Sequence, residues 1–385
     1  MHPLAARTQL LLFPAPHPTI PNHRACLLAT PVPPSTLLRL LRTTATPPAG
    51  ARSPPRAVSP TTTTVATDDG STQSDSGANT SGSKWAEFAA RVSGEWDGYG
   101  ADFTVSGDPL ELPANVVPEA FREWGVEVFD WQTQCPTLAD PATPCALHYR
   151  LVRLLPTVGC EADAATVYTS HQRHASSASA FAYGGSSSSS YVAAWPKGPA
   201  TVLEIEHCVV HPEIGDDEVV RRARIVQTVA LASKAPGAVL RGVKVFSEQW
   251  YGPFRNGDQL GGCALREAAF AAGERLAKSE VVGSWESSQA SAAKFSGTGK
   301  FAGLEPDEPR RTARDEAGLG VLTLLPKQLW SSFKVDEEAG EVVCEVGWVL
   351  GQGRALTSRC ILSKDGDVKA NSCSLRVPGV GGHLT

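Results

Sequence analysis

Asp and Glu are absent from the first 67 of the 385 residues, a stretch that carries Arg7, Arg24, Arg39, Arg42, Arg52 and Arg56. No apolar run reaches the roughly 18 to 20 residues that span a bilayer, so no integral membrane segment is expected. The nine cysteines include no Cys-x-x-Cys, which removes both the redox pair and the zinc knuckle. No nucleophile elbow and no phosphate loop appears. Gly261-Gly262 lacks the lysine that a phosphate loop brings. These absences predict a protein that is not an enzyme, with no catalytic residue, no metal and no cofactor.

An Arg-bearing, acid-free, hydroxyl-rich leader reads as an organelle transit peptide, here over residues 1–56. The run Leu10-Leu11-Leu12-Phe13 is short and runs into prolines, which disfavours a secretory signal. Pro and Thr content favours the chloroplast stroma, while Leu37-Leu38-Arg39-Leu40-Leu41-Arg42, as a short amphipathic helix, leaves the mitochondrion open. The net charge is −5; without the six leader arginines, 29 basic residues face 40 acidic ones, giving −11. An acidic body argues against nucleic acid and allows a basic protein patch as partner. Residues 57–83 hold few apolar side chains and are expected to be a disordered linker.

Order is expected to begin near Trp85. Trp85, Phe88, Ala89 and Val92 share one helical face, and Ser83 stands as a candidate N-cap. Gly94 ends this helix and opens Gly94-x-Trp96, which recurs as Gly283-x-Trp285 after a second predicted helix over 264–276. Glycine permits close approach, and an indole can plug a barrel end while its N–H finds a partner. Gly-x-Trp at the entry to a first strand is the opening pattern of calycin, or lipocalin-like, barrels.

Short alternating segments follow each copy: 126–131, 147–155, 164–170, 179–183, 191–195, 202–210, 224–231 and 239–249, then 292–301, 320–325, 329–335, 342–350, 355–362 and 368–375. Strands without intervening helices mean an antiparallel sandwich or barrel. The predicted fold is mainly β: two tandem calycin-like antiparallel barrels over 84–262 and 263–385, each preceded by a short helix. Residues 305–316, with Pro306 and Pro309, read as a solvated loop.

Four groups of residues are candidates for chemistry or binding. His207-Cys208-x-x-His211 puts two ligand types on one strand face, but lacks the second pair a zinc site needs; a partly buried strand-end histidine is the default. Cys160 stands beside Glu161 and Asp163, which would raise its thiol pKa and make it a poorer nucleophile. Cys135 and Cys145 are spaced to close a loop; the remaining thiols read as small buried hydrophobes. Finally, Trp250, Tyr251, Phe254 and Arg255 are the residue types that anchor interfaces. They form either an external partner-binding edge or the cement between the two barrels. A barrel of this size also has room for one small apolar ligand, although no charged pair visible in the sequence orients one.

Four runs are long enough to compare with a family: Gly94-Glu-Trp-Asp-Gly-Tyr-Gly-Ala-Asp-Phe-Thr104, Phe129-Asp-Trp-Gln-Thr-Gln-Cys-Pro136, Leu154-Leu-Pro-Thr-Val-Gly-Cys-Glu-Ala-Asp163 and Glu248-Gln-Trp-Tyr-Gly-Pro-Phe-Arg-Asn-Gly-Asp-Gln-Leu-Gly-Gly262. They resemble the plant chloroplast members of a double-calycin family, DUF3598, which includes a biogenesis factor required for the chloroplast ATP synthase. The resemblance spans about residues 84 to 377. It implies two lipocalin-like barrels, no catalytic residue, and contact with the beta and gamma subunits of the CF1 catalytic head during assembly. It leaves a peripheral position at the thylakoid open. Related calycins that attach bilins to phycobiliproteins imply an alternative, a carrier or lyase holding a tetrapyrrole or lipid in one barrel.

Overall fold

The computed structural model describes the backbone of residues 76–158, 166–184, 189–198, 202–212, 219–231, 237–258, 269–295, 301–307, 311–363 and 368–378, and side chains from 84 onward except 287–313, 316–317 and 368–378. The leader and the segment holding Cys160, Glu161 and Asp163 lie outside these residues. Two antiparallel sheets account for nearly all the order.

The first sheet has ten strands: β1 (Glu95–Phe103), β2 (Trp131–Gln134), β3 (Thr137–Ala139), β4 (Leu147–Leu154), β5 (Val167–His174), β6 (Ala180–Gly184), β7 (Ser190–Pro196), β8 (Val202–Val210), β9 (Arg221–Leu231) and β10 (Ala238–Gly252). Its hydrogen-bonded path runs β3-β4-β2-β1-β10-β9-β8-β7-β6, with β5 beside β4. Four strands therefore separate β4 from β8. In a flat sheet they would lie about 24 Å apart. Instead Tyr149 on β4 donates its hydroxyl to Glu206 on β8 at 2.5 Å. The sheet is curled into an incomplete barrel, and β5 and β6 border its seam. Among the described residues no pairing joins them.

The second sheet has eight strands: β11 (Gly283–Phe295), β12 (Phe301–Asp307), β13 (Arg311–Arg314), β14 (Val321–Leu324), β15 (Leu329–Asp336), β16 (Glu341–Gly351), β17 (Arg354–Ser363) and β18 (Val368–Pro378). Its path is β12-β11-β18-β17-β16-β15-β14, with β13 on β11. Arg314 on β13 pairs with Glu345 on β16, across three intervening strands, so this sheet curls as well. In both sheets the first strand pairs with the last: β1 with β10, and β11 with β18.

Helix α1 (Ser76–Val92) buries Trp85, Phe88, Ala89 and Val92 in the interior of the first sheet. Burying each large side chain contributes about 1.5–3 kcal/mol, enough to carry the weaker helix formers before it. The helix consequently starts at Ser76, so Ser83 is inside it rather than its cap, and the linker expected over 57–83 is helical from that point. The back of the first sheet, with Ile205, Ile225, Val243 and Val245, packs against Phe333, Val342, Cys344 and Leu362 of the second. Polar contacts cross this layer: His207 Nδ1 lies 2.9 Å from Ser358 Oγ, and Gln227 Nε2 donates to Ser331 Oγ at 2.8 Å. Residues Ser71–Thr385 form one compact unit.

Three further expectations are corrected. Residues 269–276 of the predicted helix form turns, with 264–268 outside the described residues. Phe270 is buried against Phe103, and Asp130 accepts from the backbone N–H groups of Phe270 and Ala271 at 3.0 and 3.1 Å, an anchorage a helix would forbid. Among the described residues from 269 on, a single 3₁₀ turn, Lys278–Glu280, precedes the second Gly-x-Trp. Next, the strand expected from Val126 begins only at Trp131; Val126 is exposed and Asp130 is committed to the contact just described. Last, the loop expected over 305–316 contains the end of β12, all of β13 and the start of a short helix, α2 (Glu316–Leu319).

No helix among the described residues is long and apolar enough to cross a membrane.

Candidate functional site

Alternation builds a charged interior in the first sheet. Glu204 and Glu206 on β8, Arg222 and Arg224 on β9, and Lys244 and Glu248 on β10 occupy same-face positions of strands whose other faces are mainly apolar, His207 and Gln227 being buried polar exceptions. Register sets Arg222 directly opposite Glu248. Glu248 accepts from Arg222 Nε at 2.7 Å and from Arg224 Nε and Nη2 at 2.9 and 2.8 Å. Glu206 accepts five donors: Tyr149 Oη at 2.5 Å, Trp195 Nε1 at 2.8 Å, Tyr191 Oη at 2.9 Å, Arg173 Nη1 at 3.0 Å and Arg224 Nη1 at 3.1 Å. Burial pushes the Glu206 carboxyl up, but Arg224 and Arg173 outweigh it and hold it at about 2. Glu248 is lowered in the same way, its burial overcome by Arg222 and Arg224. These groups stay ionised because each is paired and hydrogen-bonded.

Above this lattice, at the seam, a cleft of about 580 Å³ opens between β4, β5, β7, β8, β9 and β10. Glu204 sits on its wall and is shared by three cations: Arg173, Lys197 Nζ at 2.8 Å and Lys244 Nζ at 3.0 Å. Burial raises the Glu204 carboxyl, yet Lys244, Lys197 and Arg173 bring it to about 2. Trp195, Phe246, Leu151 and Val226 supply apolar walls. The guanidinium of Arg173 lies over the Trp195 ring at 5.1 Å.

Both Gly-x-Trp copies take the same local form. Gly94 and Gly283 have φ of 148° and 145°, values open to glycine. Trp96 Nε1 donates to the Val92 carbonyl at 2.9 Å, and Trp285 Nε1 to that of Val281 at 3.0 Å. An arginine lies over each ring, Arg222 at 4.2 Å from Trp96 and Arg314 at 6.0 Å from Trp285. Gly94 also permits close approach, since a Cβ there would overlap the Trp250 indole.

Trp250, Tyr251, Phe254 and Arg255 stand at and just beyond the end of β10, and none belongs to the layer between the two sheets. Trp250 is 39% and Tyr251 48% exposed. Trp250 Nε1 reaches the Ser93 carbonyl at 3.3 Å, Phe254 meets His148 edge-on at 5.8 Å, and Arg255 lies over Tyr251 at 5.9 Å. Glu95 fixes the turn by accepting from Arg255 N at 2.5 Å and Gly257 N at 3.2 Å.

The remaining candidates resolve simply. His207 faces the second sheet, and burial holds its pKa down at about 3. Cys208 is buried among the interior residues of the first sheet, and His211 lies against Trp348 at 5.0 Å. Cys135 and Cys145 are free thiols. Among the described residues no group of three His, Cys, Asp or Glu side chains could hold a metal.

Sequence reasoning missed the charge lattice and with it the pairs that would orient a ligand. The signal was present as Glu204-x-Glu206 and Arg222-x-Arg224, charges repeating at period two inside apolar strands. Arg173 carried no such mark, because only the curl of the sheet brings β5 to Glu204; Lys197 reaches it from the hairpin between β7 and β8, which pair directly.

No known family profile matches the chain, and no curated protein matches it. Among solved structures, it is similar to a protein of unknown function from the DUF3598 family of Nostoc punctiforme, with 13% identity and a TM-score of 0.41 over 77% of this chain and 99% of the other. A superposition that loose carries no argument about fold or function.

Proposed function

We propose that this chain is a non-catalytic assembly factor of the chloroplast stroma that binds the beta and gamma subunits of the ATP synthase head, CF1, while the complex is built. In this reading the two curled sheets are two tandem calycin barrels. The observation that carries it is the exposure of Trp250 and Tyr251 beside Arg255, on a turn that Glu95 holds in place. Aromatic and Arg side chains presented on a rigid element are what an interface anchor requires. The sequence runs quoted above supply the partner's identity by resemblance. Affinity capture from stroma tests the reading: recovery of CF1 subunits supports it, and a clean capture without any ATP synthase subunit refutes it. Changing Trp250 and Arg255 to Ala should abolish capture while circular dichroism stays unchanged.

The cleft favours a second reading, a carrier or lyase for a tetrapyrrole or lipid. A visible absorbance band in the purified protein, or a thermal shift with bilins or fatty acids, would support it.

A further inference from the structure

We propose that the cleft at the seam of the first sheet is a receptor for an organic anion with an apolar body, its head held by Lys197 and Lys244 and its body lying against Trp195 and Phe246. The proposal rests on the carrier reading and narrows it to one charge sign, one sheet and one set of anchors.

Charge excess is the first argument. Glu204, Glu206 and Glu248 are three carboxylates; Arg173, Lys197, Arg222, Arg224 and Lys244 are five cations bonded to them. These bonded groups therefore carry two surplus positive charges inside a chain whose net charge is −5; the further acids Asp97 and Glu95 lie near Glu248, while among the residues lining the cleft Glu204 is the one carboxylate. Arg153 also lines the cleft, and its Nε has no hydrogen-bond partner among the described residues. Exposure decides where the surplus can act. Arg222 and Arg224 are sealed, at 0% and 1%, whereas the side chains of Lys197 and Lys244 are 54% and 27% exposed. Both lysines share the single Glu204 oxygen Oε1, which leaves N–H donors on each for another acceptor.

Shape is the second argument. The volume, about 580 Å³, falls in the range of small-molecule sites, which are mostly apolar with a few placed polar groups. A cation would meet a positive field. A neutral hydrocarbon would desolvate two lysines without pairing them. A small hydrophilic anion would leave Trp195, Phe246, Leu151 and Val226 facing water. Only an amphipathic anion uses both halves of the wall.

The test uses two fluorescent probes of similar shape, 8-anilinonaphthalene-1-sulfonate and the neutral N-phenyl-1-naphthylamine, titrated into the folded protein. The sulfonate should bind at least about tenfold more tightly than the neutral probe, since charge-assisted contacts are the stronger ones. Lys197→Gln together with Lys244→Gln should weaken sulfonate binding about tenfold or more and leave the neutral probe unchanged. Lys197→Arg should keep the affinity, and Lys334→Gln, on β15 of the second sheet, should have no effect. Lys197→Gln alone, at a half-exposed position, keeps the test valid if the double variant fails to fold. Displacement by decanoate or by decyl phosphate identifies the preferred head group. Equal binding of the two probes, or sulfonate binding indifferent to both lysines, overturns the anion site but leaves a neutral-ligand carrier standing. Absence of binding by either probe overturns both.

Discussion

Replacing Glu206 by Gln tests the buried lattice most sharply. Gln keeps one acceptor oxygen and turns the other position into a donor. With the oxygen serving Tyr149, Trp195 and Arg173, the amide N–H₂ faces Tyr191 and Arg224. Tyr191 can rotate its hydroxyl to accept, but Arg224 Nη1 loses its acceptor. Arg224 retains Glu248, and Arg173 retains Glu204, so neither guanidinium is stranded. The loss is then one to two charge-assisted bonds, each worth about 1.5–3 kcal/mol, or about 3 kcal/mol in all. Linkage through the same contacts agrees in sign and order of magnitude. A carboxyl held at about 2, against 4.5 when free, contributes about 3 kcal/mol that is fully present above pH 4.5 and lost as pH falls towards 2. With a urea m-value near 3 kcal/mol/M, the midpoint should fall by about 1 M at pH 7.5. The difference between wild type and variant should vanish near pH 2. Tyr191→Phe combined with Glu206→Gln should cost less than the two changes summed, because the hydroxyl facing the amide is gone. A midpoint shift below about 0.3 M, or the same shift at pH 7.5 and pH 2.5, would show that water rather than protein solvates this carboxylate.

Other perturbations give further outcomes. Burial, with Glu95 and Glu248 nearby, raises Asp97 to about 6 from 3.8, so its native state loses stability as pH rises from 3.8 to 6; Asp97→Asn should raise the unfolding free energy read from urea melts at pH 7.5, by up to about 3 kcal/mol, and leave it nearly unchanged at pH 4. Burial lowers His207 to about 3, so between pH 6.5 and 3 the unfolded chain takes up a proton the native state refuses. Stability falls by about 1.4 kcal/mol per pH unit there, and His207→Gln should flatten that slope in acid melts. Gly94→Ala would press a Cβ into the Trp250 indole and to within 2.9 Å of the Gly252 carbonyl, whereas Gly283→Ala meets nothing within 4 Å among the described residues. The first should therefore destabilise by about 2–4 kcal/mol and shift Trp250 emission, and the second by only about 1–2 kcal/mol of backbone strain, both read in denaturant melts.

Many strands could be read from the sequence because alternation survives wherever the two faces of a strand meet different surroundings. β8 and β9 appear at nearly their observed bounds for that reason. The apolar face of α1 was equally plain, but its start was not, since packing at Trp85 and Phe88 extends the helix through residues of poor propensity. The helix expected over 264–276 shows the opposite failure in its described part, 269–276: Ala-rich spacing suggested it, and tertiary bonds from Asp130 overrode it. Gly-x-Trp was recognisable as a repeated local form, though not the arginine that covers each indole, because Arg222 and Arg314 arrive from other strands. The cleft was the least legible part. Its acids and arginines repeat along β8 and β9, whereas its accessible lysines come from β10 and from just beyond β7, and closure depends on curl that no local pattern encodes.

The most direct measurement of the proposed function is site-specific photo-crosslinking from position 251 in intact chloroplasts. A benzophenone side chain replacing Tyr251 should form adducts with the beta or gamma subunit of CF1, and the same group at Val321 on the second sheet should form none. Adducts absent from position 251, or equally abundant from 321, would contradict an assembly factor that grips its client through the end of β10.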